Sequence, residues 1–205
     1  MDKAVLDAIE RWPDVPAVFG WLSLSRRGQW RLHPGGTALA GGYGESIQNQ
    51  QILSFMDRNY TCDEQGQWFF QNGPQRVFVR LDSAPLIVSL TGQPALLRTH
   101  NQLEVQRIDD WLIDHDGNLF LQCDQGAASI NDLDLELVAK ALQTETGQDL
   151  LSWWDDRRGS AAQTLVHTNG DSPFSLERPV RLRLLGPDES AESAMGFVAN
   201  PGAEV

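Results

Sequence analysis

The sequence predicts an α+β fold, an antiparallel sheet built from hairpins and covered by about three helices. Three observations carry this. Alternating apolar runs flank tight-turn residues, most plainly in "WFFQNGPQRVFVRL" (68–81). Three segments, 2–12, 46–59 and 131–142, repeat apolar residues at helical spacing. Apolar residues make up 41% of 205 positions, with seven tryptophans, which is enough for an aromatic-rich core.

In chain order, Asp2 is placed to cap the first helix. Val5, Ala8, Ile9 and Trp12 give it a stripe, and Pro13 stops it. "VFGWLSLSRRGQWRLH" reads as two strands reversing near Arg27-Gly28. "HPGGTALAGGYGE" is a glycine-rich loop without the Gly-Lys-Ser/Thr ending of a phosphate loop. Ile47, Ile52, Phe55, Met56 and Tyr60 stripe the second helix. After the 68–81 hairpin, "SAPLIVSLTG" adds a strand edged by Pro85. "WLIDHDGNLFLQ" is a hairpin turning at Asp116-Gly117, and "NDLDLELVAKAL" is the third helix. "RPVRLRLLG" is a strand, and "SAMGFVANPG" (193–202) holds a last short one. The elements make either one unit over 1–205 or two lobes, 1–90 and 105–205, meeting near 90–105. "RRGQWRL", "EQGQWFF" and "HDGNLFL" echo one another. Turn chemistry accounts for the echo better than duplication does, because the spacings are unequal.

The 68–81 turn is informative because it contains proline. With Asn72-Gly73 as the central pair, Pro74 would have to donate a backbone N–H that it lacks. Shifting by one makes Gly73-Pro74 central and lets Gln75 close back to Asn72. Phe70 then opposes Val77, Trp68 opposes Val79 and Phe69 opposes Phe78. One face carries Trp68, Phe70, Val77, Val79 and Leu81, and the other Phe69, Gln71, Arg76, Phe78 and Arg80. The arginine face is the candidate ligand site. Arg76 and Arg80 would grip a carboxylate or phosphate, with Gln71 beside them and Phe69 or Phe78 as floor. The plainer alternative is two arginines lying along a half-exposed sheet face.

The 68–88 stretch "WFFQNGPQRVFVRLDSAPLIV", with "FGWLSLSRRGQWRL" before it and "GFV" near the end, resembles a family of small bacterial proteins known only as a domain of unknown function. A more distant likeness is to a second uncharacterised family with a glycine-tryptophan hairpin, a helix, a hairpin and then D-x-A-P. The resemblance implies a compact, β-rich α+β protein of cytoplasmic bacterial origin. It implies no activity and no catalytic residue.

Catalytic patterns are missing from the sequence. His33, His100, His115 and His167 are isolated and read as loop or surface residues, outside any zinc motif. "GES" (44–46) lacks the second glycine of a nucleophile elbow. Cys62, next to Asp63 and Glu64, has its thiolate disfavoured. "DHDGN" (114–118) imitates a calcium loop but lacks its ligand spacing and closing Glu, and "DDRR" (155–158) is local charge neutralisation. The net charge of −12 argues against sequence-independent nucleic-acid binding and against anionic membranes. Two distant cysteines make neither a metal motif nor a disulfide framework. No secretory leader and no run of about 18 apolar residues is present, so the expected compartment is the cytoplasm.

The expected function is therefore a non-enzymatic binding or regulatory module for a protein partner or a small anionic ligand, without metal or cofactor. The alternatives are an enzyme, for instance a hydrolase, whose site forms only in three dimensions, and a structural or oligomeric protein.

Overall fold

Local signals become two sheets. The computed structural model describes residues 1–92 and 95–202. The chain divides into two compact units, Met1–Pro85 with Gly196–Val205, and Leu86–Met195.

Unit 1 begins with α1 (Lys3–Arg11), which ends just before Pro13. Asp2 stands at its N-cap position, but its carboxylate makes no cap bond. It is held by Arg58 Nε at 3.0 Å and Nη2 at 3.1 Å. β1 (Val18–Leu24), β2 (Trp30–Leu32) and the two-residue β3 (Glu45–Ser46) follow. Ser46 belongs to β3, so α2 (Gln50–Arg58) starts later than its stripe suggests, capped by the Asn49 side chain on the amides of Gln51 and Ile52. β4 (Tyr60–Cys62), β5 (Trp68–Asn72) and β6 (Gln75–Leu81) complete a sheet of order β3-β2-β1-β6-β5-β4.

Unit 2 contains β7 (Leu86–Thr91), β8 (Leu96–Thr99), β9 (Ile108–Ile113), β10 (Leu119–Cys123) and β11 (Gly126–Ile130), then α3 (Leu135–Ala141) and β12 (Leu142–Thr144). After these come α4 (Leu150–Asp155), β13 (Ala162–Thr168), β14 (Val180–Leu184) and α5 (Ala191–Met195). The sheet order is β12-β13-β14-β9-β10-β11-β7-β8.

Two expectations need correction. The sheets are mixed rather than antiparallel, because β1 pairs with β6, β11 with β7 and β14 with β9 in parallel. Hairpin signals report only strands adjacent in sequence, and parallel partners need a long crossover. The three expected helices are present, with α4 and α5 in addition. In the 193–202 segment, α5 takes the first residues. Val198 makes only an isolated bridge with Gln67, and the Ala199 carbonyl accepts from Leu81 N at 2.8 Å. Among the described residues no helix is long and apolar enough to cross a membrane.

The two sheets share a topology. The run β3-β2-β1-β6-β5-β4 is matched by β11-β10-β9-β14-β13-β12. Each has three antiparallel strands, a helix, then three antiparallel strands, with the last strand parallel to the first. α4 lies between β12 and β13, where unit 1 has only a turn.

The turns match as well. In Ser25–Gln29, Asp63–Gln67, Asp114–Asn118 and Thr144–Gln148 the first residue's amide donates to the fifth residue's carbonyl, and the fourth residue, always Gly, returns its amide to the first carbonyl. The first side-chain oxygen accepts from the fifth amide at 2.8–3.1 Å. The glycines have φ between 71° and 82°, a region costly for any residue with a Cβ. The sequence echo coincides with these turns: "RRGQWRL" and "HDGNLFL" stand at equivalent points of a topology that repeats, which the reading of the echo as turn chemistry without duplication does not anticipate.

The glycine positions give a graded stability prediction. A Cβ at Gly66 would lie 2.4 Å from the Gly196 carbonyl oxygen, whereas Gly73, also at positive φ, has nothing within 4 Å. In urea unfolding, Gly73→Ala should cost about 1 kcal/mol, and Gly66→Ala clearly more because backbone must move.

Candidate functional site

The hairpin of β5 and β6 has the register that its proline requires. Phe69 pairs with Phe78, Phe70 with Val77, Gln71 with Arg76 and Asn72 with Gln75. The turn therefore falls on Gly73-Pro74, with Gly73 at φ 58°. Asn72, Gly73, Pro74 and Gln75 serve as turn residues, and Gln75 Nε2 also donates to the Pro16 carbonyl at 3.2 Å.

The arginine face is buried over most of its length. Phe69 and Phe78 are only 4% and 7% exposed, and Gln71 is buried with its amide donating to the Gly73 carbonyl at 2.9 Å. Phe19 stacks on Phe78 with centroids 4.6 Å apart and planes 4° from parallel. The Phe69 and Phe78 rings lie 5.5 Å apart. Arg76 is exposed, its guanidinium 4.9 Å from the centre of the Phe69 ring. Four residues of strand, roughly 13 Å at ~3.3 Å each, separate Arg76 from Arg80. Each guanidinium has its own surroundings, Arg76 the Phe69 ring and Arg80 the Asp82 carboxylate.

Arg80 sits in a polar seam. Its side chain is 10% exposed, Nη2 donates to Asp82 Oδ1 at 2.5 Å, and Nε is sealed without a hydrogen-bond partner. Ser23 lies opposite it across the parallel ladder, and Ser23 Oγ is 2.9 Å from His33 Nε2. Burial, and then the Arg80 charge, lower the His33 pKa, while Asp82 opposes them. Gly44 allows this approach, since a Cβ there would lie 2.6 Å from His33 Nε2.

The opposite face opens onto a cleft of about 530 Å³. Phe70, Val77 and Leu22 line it from the sheet, Ile52 and Met56 from α2, and Trp21, Leu32 and Ile47 complete the apolar wall. Asn72 and Gln75 supply amides at the hairpin end. A bulge in β1 places Trp21 there. Register shifts between Val18, opposite Val77, and Leu22, opposite Val79, with Gly20 inside the shift at φ 80°. Phe55 meets Phe70 edge-on at 5.6 Å and fixes α2 over the sheet. Ile52 remains 49% exposed at the mouth. Sequence reasoning missed these cleft residues, although Gly20 within a strand pattern was a usable signal.

The remaining candidates are structural in their surroundings. The Cys62 thiol is pushed up by burial and by Asp63, and Cys123, the other free cysteine, is buried. Asp114 accepts the amides of Asp116 and Asn118 as an Asx turn. Arg157 and Arg158 lie over Trp153 and Trp154. Two histidines depart from the surface expectation. His33 is buried, and the His100 ring is enclosed, with Nδ1 accepting from Ile87 N at 3.3 Å. Burial lowers the His100 pKa to about 3. Among the described residues, no three His, Cys, Asp or Glu side chains are grouped to hold a metal.

With the geometry in place, comparison with known proteins gives a class. The DUF2944 family model, described as "Protein of unknown function (DUF2946)", matches residues 1–201, so the chain belongs to that family of unknown function. No curated protein matches it. Two solved structures are similar in part. A DUF1285 family protein from Silicibacter pomeroyi DSS-3 is 15% identical with a TM-score of 0.43, over 71% of this chain and 87% of that one. A DUF1285 family protein from Shewanella baltica OS155 is 13% identical with a TM-score of 0.39, over 56% and 87%.

The buried histidines make stability pH-dependent. Their folded pKa values lie below the unfolded value of 6.5, so their contribution is complete above about pH 6.5 and is lost as pH falls towards the folded values. By pH 5, His100 alone should cost about 2 kcal/mol relative to neutral pH. A His100→Gln variant, compared by urea unfolding at pH 7 and pH 5, should lose less stability on acidification than the parent.

Proposed function

We propose that this protein is a non-enzymatic binding or regulatory module whose unit 1 cleft takes a small molecule with an apolar body and a polar end. The observation that carries the reading is the cleft itself. At about 530 Å³ it has the volume of an ordinary small-molecule site, and its lining is apolar except for Asn72 and Gln75. An alkyl or ring system would lie against Trp21, Ile52 and Val77, and its polar end would reach the two amides. The Ser23–His33 pair does not favour the hydrolytic alternative, because both side chains are buried in the opposite face.

A small anionic ligand at the arginine face is the second reading, favoured by one observation. Arg80 is nine-tenths buried with Nε unpartnered, and a buried donor left so costs about 1–3 kcal/mol. An oxyanion reaching it would have to compete with Asp82.

The readings separate in one experiment. Decanol should raise the melting temperature, by about 5 °C once it is near ~100 times its Kd. Ile52→Lys places a charge at the cleft mouth and should remove that rise while leaving the ligand-free melt nearly unchanged. No rise, or a rise that survives Ile52→Lys, would defeat the cleft reading. A rise with inorganic phosphate that Arg80→Gln removes would support the second reading instead.

A further inference from the structure

Unit 2 has an apolar cavity of its own, about 320 Å³, between α3, α4 and the β9–β10 turn. Its floor is Ile113, Leu119 and Leu150, all buried. One wall is the Trp154 indole. Its Nε1 donates to the Asp114 carbonyl at 3.1 Å, and its ring lies so close to Gly117 that a Cβ there would be 3.4 Å away. The wall is fixed by these contacts before anything binds, so a ligand need not order it.

The rim differs from that of the unit 1 cleft. Asp116 from the turn, and Asp132 and Glu136 from the α3 segment, line the cavity and are exposed; no Lys or Arg is among the lining residues, and Arg158 lies over the Trp154 ring at 4.9 Å. An apolar floor ringed by carboxylates complements an apolar side chain flanked by cations. Leu151 at the mouth is exposed as well. On a helix, residues three and four positions from an apolar anchor lie beside it, so cations there would stand over the rim while the anchor fills the cavity.

We propose that this cavity docks a basic amphipathic helix of a partner protein. One large apolar side chain enters between Trp154 and Leu150, and flanking Lys or Arg side chains meet Asp116, Asp132 and Glu136. Glu136 already bonds Lys140 at 2.5 Å, but both ends of that i,i+4 pair are well exposed. Such pairs contribute little, so Glu136 can exchange one cation for another. This site is independent of the unit 1 reading.

The test uses a fluorescein-labelled helical peptide of Leu and Lys, with Leu on one face, and reads anisotropy at physiological salt. The double variant Asp116→Lys/Glu136→Lys should weaken binding at least about tenfold. Leu151→Glu should weaken it comparably. That variant adds negative charge, so attraction to an acidic protein alone would tighten binding. Asp7→Lys/Glu10→Lys, on exposed α1 positions, should have little effect. If Leu151→Glu melts early, Leu151→Ala should still weaken binding. The proposal fails if the peptide does not bind, if Leu151→Glu binds as tightly as the parent, or if an equally charged peptide with Ser in place of Leu binds equally well.

Discussion

Pro74 has no amide hydrogen, and the unit 1 site depends on that. The chain must reverse one residue later than Asn-Gly would suggest, which pairs Asn72 with Gln75 and sets every later pair of the hairpin. A slip of one residue in one strand, as a three-residue loop would impose, turns that strand over relative to the other. Arg76 and Arg80 would then share the face of Phe70 and press against α2. The register decides which side of β6 receives a helix and a cleft and which receives Phe19, His33 and Ser23.

A second constraint repeats through the chain. Four five-residue turns use the same bonds, a side-chain oxygen at the first position and a left-handed glycine at the fourth. Two lead into the second strand of each six-strand run, β2 and β10, after Leu24 and Ile113, and two follow the first strand after the main helix, β4 and β12. Each unit places an apolar hollow beside that helix, α2 or α3. The hollows then diverge. Unit 1 extends into a plain hairpin, so its hollow reaches two amides. In unit 2, α4 intervenes, and Leu150, Leu151 and Trp154 wall a smaller space with an acidic rim. One scaffold thus carries two different walls.

Much of the fold was legible because its signals are local. The hairpin register followed from one missing donor, and the helices at α1, α2 and α3 followed from their stripes. The parallel pairs were not legible, since nothing in Val18–Leu24 names Gln75–Leu81 as its neighbour. Strands such as Gly126–Ile130 and Ala162–Thr168 carry too few large apolar residues to stand out. Which residues share the arginine face is legible in the sequence, and how much of that face is covered is not. Phe19, forty-odd residues upstream of the hairpin, supplies the ring that covers Phe78, and sequence separation hides such a partner. His33 was hidden for the same reason. Its burial depends on Gly44 and on Ser23 of a neighbouring strand.

The most direct measurement is side-chain NMR contacts at the hairpin. The account requires Phe70 to show contacts with Phe55 and Val77, and Phe78 to show contacts with Phe19 and Phe69. Contacts from Phe70 to Phe19, or from Val77 to the Phe69 ring, would place the strand in the slipped register and remove the basis for the unit 1 cleft.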